Sequence, residues 1–163
     1  MDKPRSFYAF EMLYWTGIRE GELLALTPAD FDFERQTVSI TKSYQRMKGR
    51  DVITDPKTQK SNRVVQMPSF LCNEIQDYIK TLYAVQPDDR IFQVTKSYLF
   101  REMERGCKET GVKRIKIHGL RHPYVKHTTK IFSLRLMDFQ AQAYPDARRK
   151  TRGACQLHRG GQS

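Results

Sequence analysis

Two short stretches carry charged side chains that packing alone does not explain. The first, TGIREGELLAL (residues 16–26), sets Arg19 just ahead of a Leu-Leu-x-Leu run. The first turn of a helix is partly positive and favours acidic side chains, so an arginine there points to a negative partner outside the protein. The second, IKIHGLRH (residues 115–122), sets His118 and Arg121 three apart, a spacing that on a helix would put them on one face. Such a pair standing alone is an ordinary surface feature. It gains weight beside Arg19 and the lysines of YQRMKGRDVITDPKTQKSN (residues 44–62). The chemistry open to this set is the holding of an anion.

The totals say which anion. A formal charge of +11 and a pI near 9.7, carried by 163 residues, favour a polyanionic partner, nucleic acid before any other. The plainer alternative is a basic, soluble surface. The length suits one domain with a real core. Cys72, Cys107 and Cys155 lie far apart, odd in number, with no zinc spacing and no disulfide framework. They suit a reducing compartment. No signal peptide precedes the first helical pattern, and no apolar run approaches the ~18 residues of a membrane span. The expectation is a cytoplasmic protein.

The elements that must position these residues follow from periodicity. Phe7, Phe10, Leu13 and Tyr14 recur at helical spacing over residues 5–16, with Trp15 expected in the core. A second helix is expected from about Arg19 to Leu26, before Thr27-Pro28. TVSIT (37–41) and RVVQM (63–67) alternate as strands do. The Lys-Gly and Asp-Pro steps between them predict turns, hence a small antiparallel sheet with an exposed basic hairpin. Pro68-Ser69 opens an amphipathic helix through Leu71, Ile75, Tyr78, Ile79 and Leu82. RIFQV (90–94) reads as a short extended segment. Thr95 or Ser97 can cap a further helix, which Gly111 ends. From about Ala141 the chain is basic, rich in Gln, Arg and Gly, and nearly aperiodic.

TGIREGELLAL, DFDFERQTVSI, DPKTQKSNRVVQMP and IHGLRH, in that order, resemble the catalytic domain of the tyrosine recombinases, the phage-integrase family. The resemblance implies an α+β fold, mainly helical, with a small antiparallel β-sheet. It implies site-specific cleavage and rejoining of double-stranded DNA through a 3′-phosphotyrosyl intermediate, without metal or other cofactor. By motif position Arg19 and Arg121 are the two phosphate clamps. Arginine suits that task because its planar fork binds phosphate bidentately and stays protonated. Lys57 matches the lysine that protonates the departing 5′-oxygen, with Lys60 as the alternative. His118 matches the histidine that assists proton transfer at the nucleophile. Glu22 matches an acidic position that braces the site, or else serves as a helix-stabilising charge. The family also implies assembly on DNA as a homo-oligomer, a tetrameric synapse, and no membrane.

The departures are as specific as the matches. The family's nucleophilic tyrosine lies well beyond the second arginine, where this chain reads ARRKTRGACQ. Only Tyr124 and Tyr144 follow Arg121, and Tyr124 lies too close to it, which leaves Tyr144 as candidate nucleophile. Pro123 would cost a helix interior about 3 kcal/mol. The reading is therefore a catalytic-domain core over 1–128 and an atypical basic tail over 129–163, as a diverged, rearranged or frameshifted ending would give. The helical DNA-clamping domain expected ahead of the core is not represented. The expected function is that of a mobile-element integrase, present as a fragment without an evident nucleophile. A non-cleaving DNA-binding remnant and a host-type chromosome resolvase are the alternatives.

Overall fold

A computed structural model describes residues 5–54, 62–111 and 116–121, with the side chains of Thr110 and Arg121 left out. Helix α1 spans Arg5–Thr16 and buries Phe7, Phe10, Leu13 and Tyr14, the four residues its spacing singles out. Gly17 ends it: its φ of 65° is left-handed, and its N–H returns to the Leu13 carbonyl. The chain can then reverse, bury Ile18 and start helix α2 at Glu20–Leu23.

Helix α2 is shorter than the sequence suggests, one turn followed by 3-10-like bonds at Ala25 and Leu26. Leu23, Leu24, Ala25 and Leu26 are all buried. A segment apolar on every side has no solvent face for a longer amphipathic helix to present.

Strands β1 (Phe31–Asp32), β2 (Thr37–Ile40) and β5 (Arg63–Gln66) form an antiparallel sheet with β2 in the middle. Thr37 faces Gln66 and Ile40 faces Arg63, so the two alternating runs pair directly. The basic stretch between them is more ordered than a single loop. It begins with a separate hairpin of β3 (Ser43–Met47) and β4 (Arg50–Thr54). Lys48 and Gly49 turn it with φ of 48° and 80°, the paired positive values a two-residue hairpin needs.

Helix α3 (Ser69–Thr81) and helix α4 (Lys96–Thr110) complete the domain. The Thr95 hydroxyl caps α4 by accepting the Tyr98 N–H at 3.2 Å, and Gly111 closes it with a φ of 66°. Leu71, Ile75 and Tyr78 of α3 and Leu99 and Met103 of α4 join α1, α2, Val38 and Ile40 in one core. RIFQV forms no strand. Ile91 and Phe92 are core residues, and the Ile91 N–H donates to the Leu26 carbonyl just past α2.

Trp15 departs from its expected place in the core. It is 40% exposed, set edge-on between Tyr14 and Phe70. Residues 9–14 of α1 are all buried, and Trp15 stands just past them, next to the helix end at Thr16.

The β3–β4 hairpin is pinned to the body of the domain. Arg90 lies 4.4 Å over the Tyr44 ring, pairs with Asp51 at 2.8 Å, and reaches the Leu24 carbonyl. The Tyr44 hydroxyl donates to the same Asp51 at 2.8 Å. A hairpin alone is marginal in water, so this network and the buried Tyr44 hold its orientation.

Candidate active site

Arg19 sits in extended backbone just ahead of α2, at the N-cap, with the acidic Glu20 and Glu22 filling the first turn. The helix dipole therefore meets carboxylates, as it should, and the arginine stands outside the helix. Glu22 reaches back to it twice. One oxygen accepts the Arg19 backbone N–H at 2.7 Å, as in a capping box, and the other accepts Nη1 at 2.9 Å.

Arg63, the first residue of β5, meets the same carboxylate from the far side. Its two terminal nitrogens donate to Glu22 at 3.0 and 2.7 Å. Four donors therefore converge on one carboxylate, which has about four acceptor sites. Glu22 is only 5% exposed. Burial pushes its carboxyl up, but the bonds from Arg63 and from the Arg19 backbone and side chain outweigh that and hold it down to about 2. An ionised, saturated Glu22 has no free lone pair for a base. It holds two guanidinium groups in place.

The Arg19 side chain, 55% exposed, lines a cleft of 190 Å³ shared with Leu13, Gly21, Ser43, Lys96 and His118. His118 belongs to a 3-10 turn, Ile117–Arg121. Ile117 and Leu120 are buried against the core, and His118 between them is exposed. Two buried apolar side chains, at about 1.5–3 kcal/mol each, fix the turn that presents the histidine. A 3-10 turn repeats every three residues, so positions 118 and 121 lie one turn apart.

Gly21 sets the width of the cleft floor. A Cβ there would lie 2.7 Å from the Ser43 hydroxyl and 3.1 Å from the Tyr44 carbonyl. Gly21→Ala should destabilise the fold by about 1–2 kcal/mol, overpacking outweighing the gain in helix propensity. Ser43→Ala removes the nearer obstacle and should recover part of that loss in the double variant. Urea melts of the three variants check it; a Gly21→Ala protein as stable as the original would contradict the close packing.

Of the residues singled out by sequence, the structure brings Arg19 and His118 to one cleft and places Glu22 directly behind Arg19. Lys57, Lys60 and Tyr144, and the side chain of Arg121, lie outside the described residues. Sequence reasoning missed Arg63 and Lys96. Arg63 looked like the polar edge of a strand, and no local spacing ties it to Glu22. Among the described residues, no group of three or more His, Cys, Asp or Glu is placed to hold a metal. No helix among them is long and apolar enough to cross a membrane.

Residues 2–129 match the Phage integrase family. The chain belongs to the phage integrase family. This integrase-family chain is similar to the ICEBs1 integrase of Bacillus subtilis (strain 168), 30% identical over 134 residues that cover 74% of this chain and 36% of that protein. It is equally similar, at 30% over 132 residues, to a tyrosine recombinase of Pseudothermotoga lettingae, covering 78% of this chain and 41% of the relative. Its fold matches the Tn1549 transposon integrase (aa 82-397) solved in complex with circular intermediate DNA. The TM-score is 0.55 at 19% identity, over 90% of this chain and 59% of that one. The crystal structure of XerA recombinase gives the same TM-score and identity over 86% and 57%. This phage-integrase-family chain thus spans well under half of the two sequence relatives.

Proposed function

We propose that this chain is the catalytic core, residues 1–128, of a site-specific DNA recombinase of the mobile-element type, followed by an atypical basic tail over 129–163. Its substrate is double-stranded DNA, on which copies of the chain assemble in the cytoplasm. In the reaction a tyrosine oxygen attacks the phosphorus of one phosphodiester and the bond to the 5′-oxygen breaks. A 3′-phosphotyrosyl ester and a 5′-hydroxyl result. The tyrosine gives up a proton and the 5′-oxygen gains one, so the step is neutral in protons overall. Attack builds negative charge on the non-bridging oxygens, which fixed cations stabilise best when they need not reorganise.

Arg19 supplies such a cation, preset by Glu22 and Arg63. Arg121 is its partner clamp, His118 assists proton transfer at the attacking oxygen, and Lys57, or Lys60 in its place, protonates the departing one. The observation that carries the reading is the cleft shared by Arg19 and His118, drawn from the two ends of the described chain. A second reading, a DNA-binding remnant that does not cleave, is favoured by one feature: after Arg121 the sequence offers only the nearby Tyr124 and Tyr144.

Both readings require DNA binding through phosphates, and it can be measured. The 163-residue chain should bind duplex DNA and weaken steeply with salt, because neutralised phosphates release counterions. Arg19→Gln should make the slope of log affinity against log salt shallower by about one. Fluorescence anisotropy across a salt series reads both. An affinity unchanged between low and moderate salt would sink the reading.

A further inference from the structure

Lys96 opens α4 at the edge of the same cleft, and neither the motifs nor the roles above use it. Its position is built. Thr95 caps the helix one residue before it, and Leu99 anchors the first turn in the core. Its ammonium lies 3.7 Å from a Glu20 carboxylate oxygen, beyond the 2.7–2.9 Å of a good charge-assisted bond, with Lys96 44% and Glu20 35% exposed. A long, half-exposed pair of this kind holds weakly. The ammonium also lies 3.7 Å from where a Gly21 Cβ would stand, so glycine keeps the space between it and the cleft floor open. Lys96 is thus a cation on a fixed base, loosely held, at the rim of a cleft that already contains Arg19 and His118.

We propose that Lys96 is a further DNA-phosphate ligand of this cleft, parked on Glu20 in the free protein and transferred to a non-bridging phosphate oxygen when the strand enters. The inference rests on the reading of the cleft as a phosphate site. Glu20 then has two effects. It holds the ammonium near the cleft while the site is vacant, and its own charge opposes an arriving phosphate. Lysine suits a transferable role because its three donors sit on a flexible stem, whereas the braced Arg19 is fixed.

Salt titrations of duplex DNA binding by the full chain test it, in parallel for the original protein, Arg19→Gln, Lys96→Gln, Lys96→Arg and Glu20→Gln. Lys96→Gln should bind about fivefold to tenfold more weakly near 0.1 M salt, with a slope shallower by about 0.9, the value for one phosphate no longer neutralised. Lys96→Arg should keep the original slope. Glu20→Gln should bind about threefold more tightly, since a repelling charge leaves the rim. A Lys96→Gln protein with the original slope overturns the proposal, whether or not binding weakens, because purely structural damage leaves the number of neutralised phosphates unchanged. Should that variant fail to fold, Glu20→Gln without tighter binding overturns it equally. Where Arg19→Gln changes the slope and Lys96→Gln does not, only this inference falls; where neither does, the phosphate-site reading falls with it.

Discussion

Replacing Glu22 by glutamine should cost the fold about 3 kcal/mol at neutral pH and release Arg19 from its set position. The carboxylate accepts four bonds from two arginines, and a glutamine would turn an amide donor toward donors. Loss of one partner from a buried ion pair is expensive because the remaining charges are left uncompensated. Here the penalty stays near the lower end, since Arg19 and Arg63 are partly exposed and can rehydrate. The pH dependence separates this from ordinary packing damage. The Glu22 carboxyl falls from an ordinary value of 4.5 to about 2 on folding. A depressed carboxyl contributes stability that is fully present above pH 4.5 and is lost as the pH falls toward 2. That contribution is about 3 kcal/mol by linkage. Urea unfolding of both proteins from neutral pH down to about 2 should show a gap that narrows through this window and nearly closes at its acid end. A constant gap would mean that Glu22 acts through shape and not through charge.

The difference between what the chain spelled out and what it concealed follows sequence distance. Helices α1, α3 and α4 were legible because each carries a complete apolar stripe and its own ends, Gly17, Pro68, Thr95 and Gly111 among them. The β2–β5 pairing was legible because both runs alternate. The β3–β4 hairpin was half legible: Lys48-Gly49 marks its turn, but apart from the buried Tyr44 its strands are largely exposed, so alternation carries little signal there. RIFQV has the composition of a strand, yet its apolar residues go to the core and no strand edge is offered to it. At the site, Arg19 was legible as a charge out of place at a helix start, and His118 through its company with Arg19 and the hairpin lysines. The brace was not. Glu22 and Arg63 are forty-one positions apart and meet only because β5 pairs with β2, which brings its first residue behind α2. The Glu20–Lys96 pair depends likewise on how α4 packs, a matter on which local spacing is silent.

The largest effect expected of this chain is a missing one: it should form no covalent adduct with DNA. In the proposed site Arg19, Arg121, His118 and Lys57 would stabilise a transition state, but none of them supplies the attacking oxygen. An oriented nucleophile contributes up to ~7–11 kcal/mol over a free one, so a tyrosine held in the wrong place forfeits nearly all of the rate. Tyr144 is followed directly by Pro145. Proline disfavours the α conformation in the residue before it, whereas the family resemblance calls for a tyrosine fixed by a packed helix. Donation of a tyrosine by a second copy does not change the arithmetic, since each copy offers the same Tyr144. The measurement is a nicked suicide substrate bearing a recombination site that an intact relative cleaves, resolved on a denaturing gel. The relative should give a shifted band, and this chain and its Tyr144→Phe variant should give none. A band from this chain that disappears in Tyr144→Phe would show the tail to be a working part of the site. It would also overturn the remnant reading, because a phenol able to attack must reach the phosphate that Arg19 is proposed to hold.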